Sequence, residues 1–172
     1  MFRKPLQVDT ESELYDIALR ALMRRAHSIA DLKKKLMRRT DNELLIQVVI
    51  ARLKENHLID DARYAQQFAR QRTELRKQGK FRVARDLRAR GVPERHIQTA
   101  LAEAAQQTDE SAVVRQRIER KLRSFRGQID PNKLASLQRS LLRAGFSSEI
   151  IRREIRALTR EDLPTPDSND DS

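Results

Sequence analysis

One spacing, repeated three times, constrains this chain more than any other feature. The apolar quartets Leu32/Leu36/Ile46/Ile50, Val83/Leu87/Ile97/Leu101 and Leu137/Leu141/Ile151/Ile155 share the internal spacing 4, 10, 4. Residues four apart lie on one helix face, and a gap of ten accommodates a helix end, a tight turn and a new helix start. Each quartet therefore predicts two helices facing one core. The segment at the turn recurs too: Leu87-Arg88-Ala89-Arg90-Gly91 returns as Leu141-Leu142-Arg143-Ala144-Gly145, with a diverged copy at Leu36-Met37-Arg38-Arg39-Thr40. Self-similarity of this kind is the signature of stacked repeat units.

Gly91 and Gly145 stand where a helix should end, because glycine tolerates the left-handed backbone of a C-terminal cap. Pro93 suits the first turn of the following helix, where its missing N–H costs nothing. The first copy has Thr40-Asp41 in place of the glycine, and Asp41 is the expected N-cap of the next helix. Upstream of each pair, Leu14 to Met23, Tyr64 to Leu75 and Val113 to Phe125 follow the helical period. The expected fold is all-α, three tandem three-helix repeat units forming an elongated body. Its expected divisions are an N-terminal arm at 1–11, repeats at 12–60, 61–107 and 108–160, and a disordered acidic tail at 161–172.

Composition supports helix and narrows the function classes. Aromatics are 4% and hydrophobic residues 38%, which suits several small cores better than one large one. With no cysteine there is neither a disulfide framework nor a thiolate zinc site. The N-terminal Met1-Phe2-Arg3-Lys4-Pro5 leads into no apolar h-region, and no apolar run reaches the roughly 18 residues of a bilayer span. The reading is a cytoplasmic protein with no membrane association. The formal charge is +11, and the five acids of the tail lift the remainder to +16, a field that attracts phosphate backbones or acidic protein surfaces.

Catalytic and metal constellations are absent from this reading. Asp60-Asp61 is an adjacent carboxylate pair, but a divalent cation needs more converging oxygens, and a helix N-terminus explains the pair better. Its expected role is a hinge between units. His27, His57 and His96 lack any His-x-x-His or Glu-x-x-His spacing and read as surface or boundary residues, with Ser28 capping the helix through Leu36. The glycines at 79, 91, 127 and 145 stand alone, so no phosphate loop precedes a Lys-Ser or Lys-Thr. No catalytic residue, metal ligand or cofactor is expected.

The basic residues are the informative class. Lys33, Lys34, Lys35, Arg38 and Arg39 crowd the first repeat helix, Arg82, Arg85, Arg88 and Arg90 the second, and Arg139 and Arg143 the third. Such runs ordinarily mean a solvated face. Here Lys34, Arg85 and Arg139 occupy equivalent repeat positions, so stacking would space them along the molecule as a contact surface.

Arg24-Arg25-Ala26-His27-Ser28 leading into Ala30-Asp31-Leu32 and Leu36, Leu58-Ile59-Asp60-Asp61 with Tyr64, Ala65 and Phe68, and Gly79 with Val83, Leu87 and Gly91-Val92 resemble the hallmarks of the RecX family. The resemblance covers about residues 14–158. It implies a non-enzymatic regulator that binds RecA recombinase filaments and restrains their ATP hydrolysis, strand exchange and coprotease action in recombination and SOS repair. The expected partners are the RecA filament and, non-specifically, DNA, with the chain itself a monomer. The alternative is a direct DNA-binding protein of helix-turn-helix type. Against sequence readout, the second helices of the pairs carry acids, such as Glu94 and Glu103, that would meet phosphates.

Overall fold

A computed structural model describes residues 8–124 and 130–161. Within them the secondary structure is helical: α1 Glu11–Arg24, α2 Ile29–Leu36, α3 Glu43–Glu55, α4 Asp61–Arg70, α5 Lys80–Ala89, α6 Glu94–Gln107, α7 Glu110–Arg123, α8 Pro131–Arg143 and α9 Ser148–Glu161. A π-helical turn, Gln71–Leu75, continues α4. The expectations for the tail from Asp162 onward, for most of the arm and for Phe125 lie outside the described residues.

Polar caps start most of these helices. The Thr10 hydroxyl accepts the Glu13 N–H and donates to the Glu13 carboxylate, capping α1. Ser28 accepts the Asp31 N–H at 3.1 Å, as expected. The cap of α3 differs from expectation: Asn42, not Asp41, accepts the Leu45 N–H at 3.0 Å. Thr40 turns inward and its hydroxyl accepts the Asn42 N–H, and six residues separate α2 from α3 where four separate α5 from α6 and α8 from α9. Pro93 sits at the cap itself, with α6 beginning at Glu94.

The quartets form the cores. Leu32, Leu36, Ile46 and Ile50 are buried together with Leu14 and Ala18 of α1. Val83, Leu87 and Ile97 pack with Ala65 and Ala69 of α4, with Leu101 half-buried beside them. Leu137, Leu141 and Ile151 pack with Val114 and Ile118 of α7, with Ile155 at the edge. Each core thus draws on three consecutive helices.

Helix ends carry the repeat from one unit to the next. At the end of α5 the Val92 N–H donates to Leu87 O and the Gly91 N–H to Arg88 O, with Gly91 at φ 69°. Gly145, at φ 92°, closes α8 in the same way through Phe146 to Leu141 and Gly145 to Leu142. This is the double bond pattern of a Schellman cap, which a positive φ permits. Each cap leaves a carbonyl pointing outward, and the preceding segment meets it. Ser28 Oγ donates to Arg90 O at 2.6 Å, the Gly79 N–H to Ala144 O at 2.9 Å, and the Val8 N–H to Arg39 O at 2.8 Å. Arg39, Arg90 and Ala144 each lie three residues beyond the second residue of their quartet, so the three contacts are equivalent. The chain's N-terminal arm therefore caps α2 in the place that α2 takes on α5 and α5 takes on α8.

Candidate functional site

The expected contact surface lies on α2, α5 and α8. Because the N-terminal end of α2 meets the C-terminal end of α5, and α5 meets α8 likewise, these helices follow one another head to tail. At the α5–α8 junction the Gly79 and Phe81 N–H groups meet the Ala144 and Gly145 carbonyls, whereas at the α2–α5 junction the Ser28 hydroxyl meets Arg90 O. Lys34, Arg85 and Arg139 occupy the same position on the three helices, and all three are exposed with no ion pair among the described residues.

The other selected cations divide into two sorts. Arg38, Arg39 and Arg143 are exposed, and Lys33 and Lys35 are half-buried along α2. Arg88 is engaged within its own unit, donating to both oxygens of Glu94 at 2.8 and 2.7 Å. That pair, with a further bond from Gln98, holds the Glu94 carboxyl down to about 2. Arg90 lies half-buried, its guanidinium 4.9 Å from the Phe68 ring centre and donating to Asp86 O. Arg82 is half-buried, and its Nε finds no hydrogen-bond partner. Arg88, Arg90 and Arg82 are therefore less available to the face shared by Lys34, Arg85 and Arg139 than spacing alone suggests.

Basic residues on α7 were not selected from the sequence. Arg143 shares a groove of about 460 Å³ with Lys121, Lys133 and Ser140, and the adjoining groove brings Arg76, Arg117 and Arg120 beside it. Arg117 stacks 5.3 Å from Phe146 and donates to Lys77 O, tying α7 to the segment before α5. Burial and the nearby Arg120 push its pKa down. The sequence signal for them is the set of basic residues from Arg115 to Arg123, interleaved with the apolar period of α7.

The paired acids resolve into two jobs. Asp60 caps α4 by accepting the Ala62 and Arg63 N–H groups. Asp61 is buried and accepts the Ile29 N–H at 2.8 Å. Burial raises its pKa, against the opposing effects of that N–H, His96 and Lys54. Asp109-Glu110 repeats the division one unit later: Asp109 caps α7, and Glu110 accepts the Lys80 N–H at 2.7 Å. No group of His, Asp and Glu among the described residues could hold a metal ion. His27, expected at the surface or at a boundary, stands at the boundary before the Ser28 cap and is buried, only 4% exposed.

The family description "RecX, second three-helix domain" matches residues 60–101, the segment from the Asp60 cap through α6. Regulatory protein RecX of Halorhodospira halophila is 34% identical over 153 residues, covering 88% of this chain and 91% of that protein. The chain belongs to the RecX family. Regulatory protein RecX of Pseudomonas entomophila is 33% identical over 146 residues, with 85% of this chain and 92% of the relative covered. The crystal structure of RecX from Lactobacillus salivarius superposes with a TM-score of 0.74 at 22% identity, covering 87% of this chain and 97% of that one. At that identity the likeness speaks for the RecX fold. No helix among the described residues is long and apolar enough to cross a membrane.

Proposed function

We propose that this RecX protein acts by binding alone, associating with RecA filaments and restraining RecA's ATPase, strand-exchange and coprotease activities. The relatives are named regulatory proteins, and the observation that carries the reading here is the exposed series Lys34, Arg85 and Arg139 at one position of three head-to-tail helices. A repeated cationic position suits a partner that is itself repetitive. Linked weak contacts then gain avidity without any one being strong. DNA in the filament is a second, sequence-independent contact through phosphates. In this reading the protein works as a cytoplasmic monomer with no cofactor.

The test follows ATP turnover by RecA assembled on single-stranded DNA while this protein is added at fixed RecA and DNA. Slowed turnover is the expected result, with no hydrolysis by the protein alone. No effect on turnover, strand exchange or repressor cleavage would refute it. Strong preference for one duplex sequence at physiological salt would instead favour a helix-turn-helix reader.

A further inference from the structure

A groove of about 500 Å³ opens at the junction of the first two units, beside the row of basic helices. It is lined by Arg25 from the end of α1, Tyr64, Gln67 and Phe68 from α4, Arg72 from the π-helical turn, and Arg90 from the end of α5. None of its lining residues is acidic. Three guanidinium groups therefore converge on a concave, partly desolvated surface, where like charges repel more strongly than in open water.

The local backbone is unusual at this point. A π-helical turn is a costly departure from α-geometry and recurs at functional positions. Thr73 accommodates it by donating to Ala69 O at 3.0 Å. The turn places the Arg72 guanidinium 4.8 Å from the Phe68 ring centre, while Arg90 approaches the same ring at 4.9 Å. Arg72 Nε is buried there with no hydrogen-bond partner. Burial, with Arg76, Arg90 and Arg82 nearby, lowers its pKa, and Asp86 is the acid that opposes the shift. The Arg90 carbonyl is meanwhile fixed by Ser28, so the groove keeps its shape only while the two units stay docked.

We infer that this junction groove is a phosphate-binding site, in which Arg25, Arg72 and Arg90 surround the oxygens of a nucleotide polyphosphate or of a nucleic-acid backbone. A carboxylate offers two oxygens and one charge, enough for a single guanidinium fork. A phosphate group presents three or four oxygens in different directions and meets several forks at once. The Gln67 amide and the Tyr64 hydroxyl add neutral donors at the rim. The site stands whether or not the chain binds RecA, so the two readings fail separately.

The experiment is isothermal titration of the full-length protein at low salt with tripolyphosphate, with ATP in the absence of metal, and with a short abasic single-stranded oligonucleotide. Arg25→Gln and Arg72→Gln should each weaken binding by about tenfold, the usual worth of a charge-assisted hydrogen bond. Arg152→Gln removes the same charge from the exposed face of α9 and should change it less than about twofold. Arg25 is exposed, so its variant keeps the test valid if Arg72→Gln fails to fold. Selective loss for tripolyphosphate and ATP identifies a small polyphosphate, and selective loss for the oligonucleotide alone identifies a strand backbone. Either outcome supports the site. It is overturned by equal losses in Arg152→Gln, by undiminished binding in the groove variants, by binding of an oligoglutamate peptide in place of the phosphate ligands, or by no wild-type binding.

Discussion

The Asp61 carboxylate accepts the backbone N–H of Ile29 at 2.8 Å, across 32 residues of chain. The first helix of the second unit thereby satisfies a donor at the start of α2, and Glu110 does the same for Lys80 at α5. The acceptor is a carboxyl group in a buried place, so its removal and its replacement by an amide have different consequences. Asp61→Ala leaves the Ile29 N–H without its acceptor and should cost about 1–3 kcal/mol in urea melts. Asp61→Asn keeps an oxygen acceptor and should cost less. The wild-type carboxyl has a folded pKa above 3.8, so its stability contribution is present at low pH and lost as pH rises through that pKa. Asp61→Asn should remove that acid-side slope.

Gly79 and Gly145 bring the second and third units to backbone contact. A Cβ on Gly79 would lie 2.3 Å from the carbonyl carbon of Gly145, and Gly79 has an ordinary φ of −76°, so the requirement is close approach rather than handedness. Gly79→Ala should cost about 1–3 kcal/mol through overpacking. Its hydrogen exchange should rise at the Gly79 and Phe81 amides, which donate to Ala144 and Gly145. Unchanged protection at both amides would show that the junction yields without loss.

The quartets are tested by truncation. Leu87 is fully buried and Leu141 is 2% exposed, so Leu87→Ala and Leu141→Ala should each cost about 2–5 kcal/mol. Gln106 is exposed, and Gln106→Ala should stay within about 0.5 kcal/mol. Equal urea midpoints for Leu87→Ala and Gln106→Ala would contradict this packing.

His27 predicts a pH dependence of stability. Burial lowers its pKa below 6.5, and Arg25 and Lys35 push the same way against Asp31 and the Ala21 carbonyl. Neither ring nitrogen makes a well-formed hydrogen bond. The unfolded chain therefore binds the proton first as pH falls, and stability should decline from 6.5 down to the folded pKa. His27→Leu removes the titration and should flatten thermal midpoints over that window. A wild-type curve as flat as the variant's would be inconsistent with a buried neutral imidazole.

Reversing Lys34, Arg85 and Arg139 to Glu together should weaken inhibition of RecA turnover more than any single reversal does, because avidity multiplies small contacts. All three side chains are exposed, so helical circular dichroism should not change. Full inhibition by the folded triple variant would move the contact to another face while leaving the proposed activity intact.

The sequence by itself determined the helices, the three cores and the equivalence of Lys34, Arg85 and Arg139, because these follow from local periodicity and from burial along one helix face. It also marked the ends of α5 and α8, since a glycine at a left-handed cap is a local requirement. It misplaced the α3 cap by one residue, because Thr40, Asp41 and Asn42 all suit a turn and only the inward packing of Thr40 selects Asn42. Tertiary structure decided what lies between units. Nothing local distinguishes Asp60, which caps its own helix, from Asp61, which reaches Ile29 in the unit before. His27 became a core residue for the same reason. Arg72 turned into a groove because the π-helical turn changes its direction, and Arg90 turned from the contact face toward Phe68. Side chains at repeat positions have a direction fixed by their helix, whereas contacts across a junction depend on how two helices meet, and that geometry is carried by residues distant in the chain.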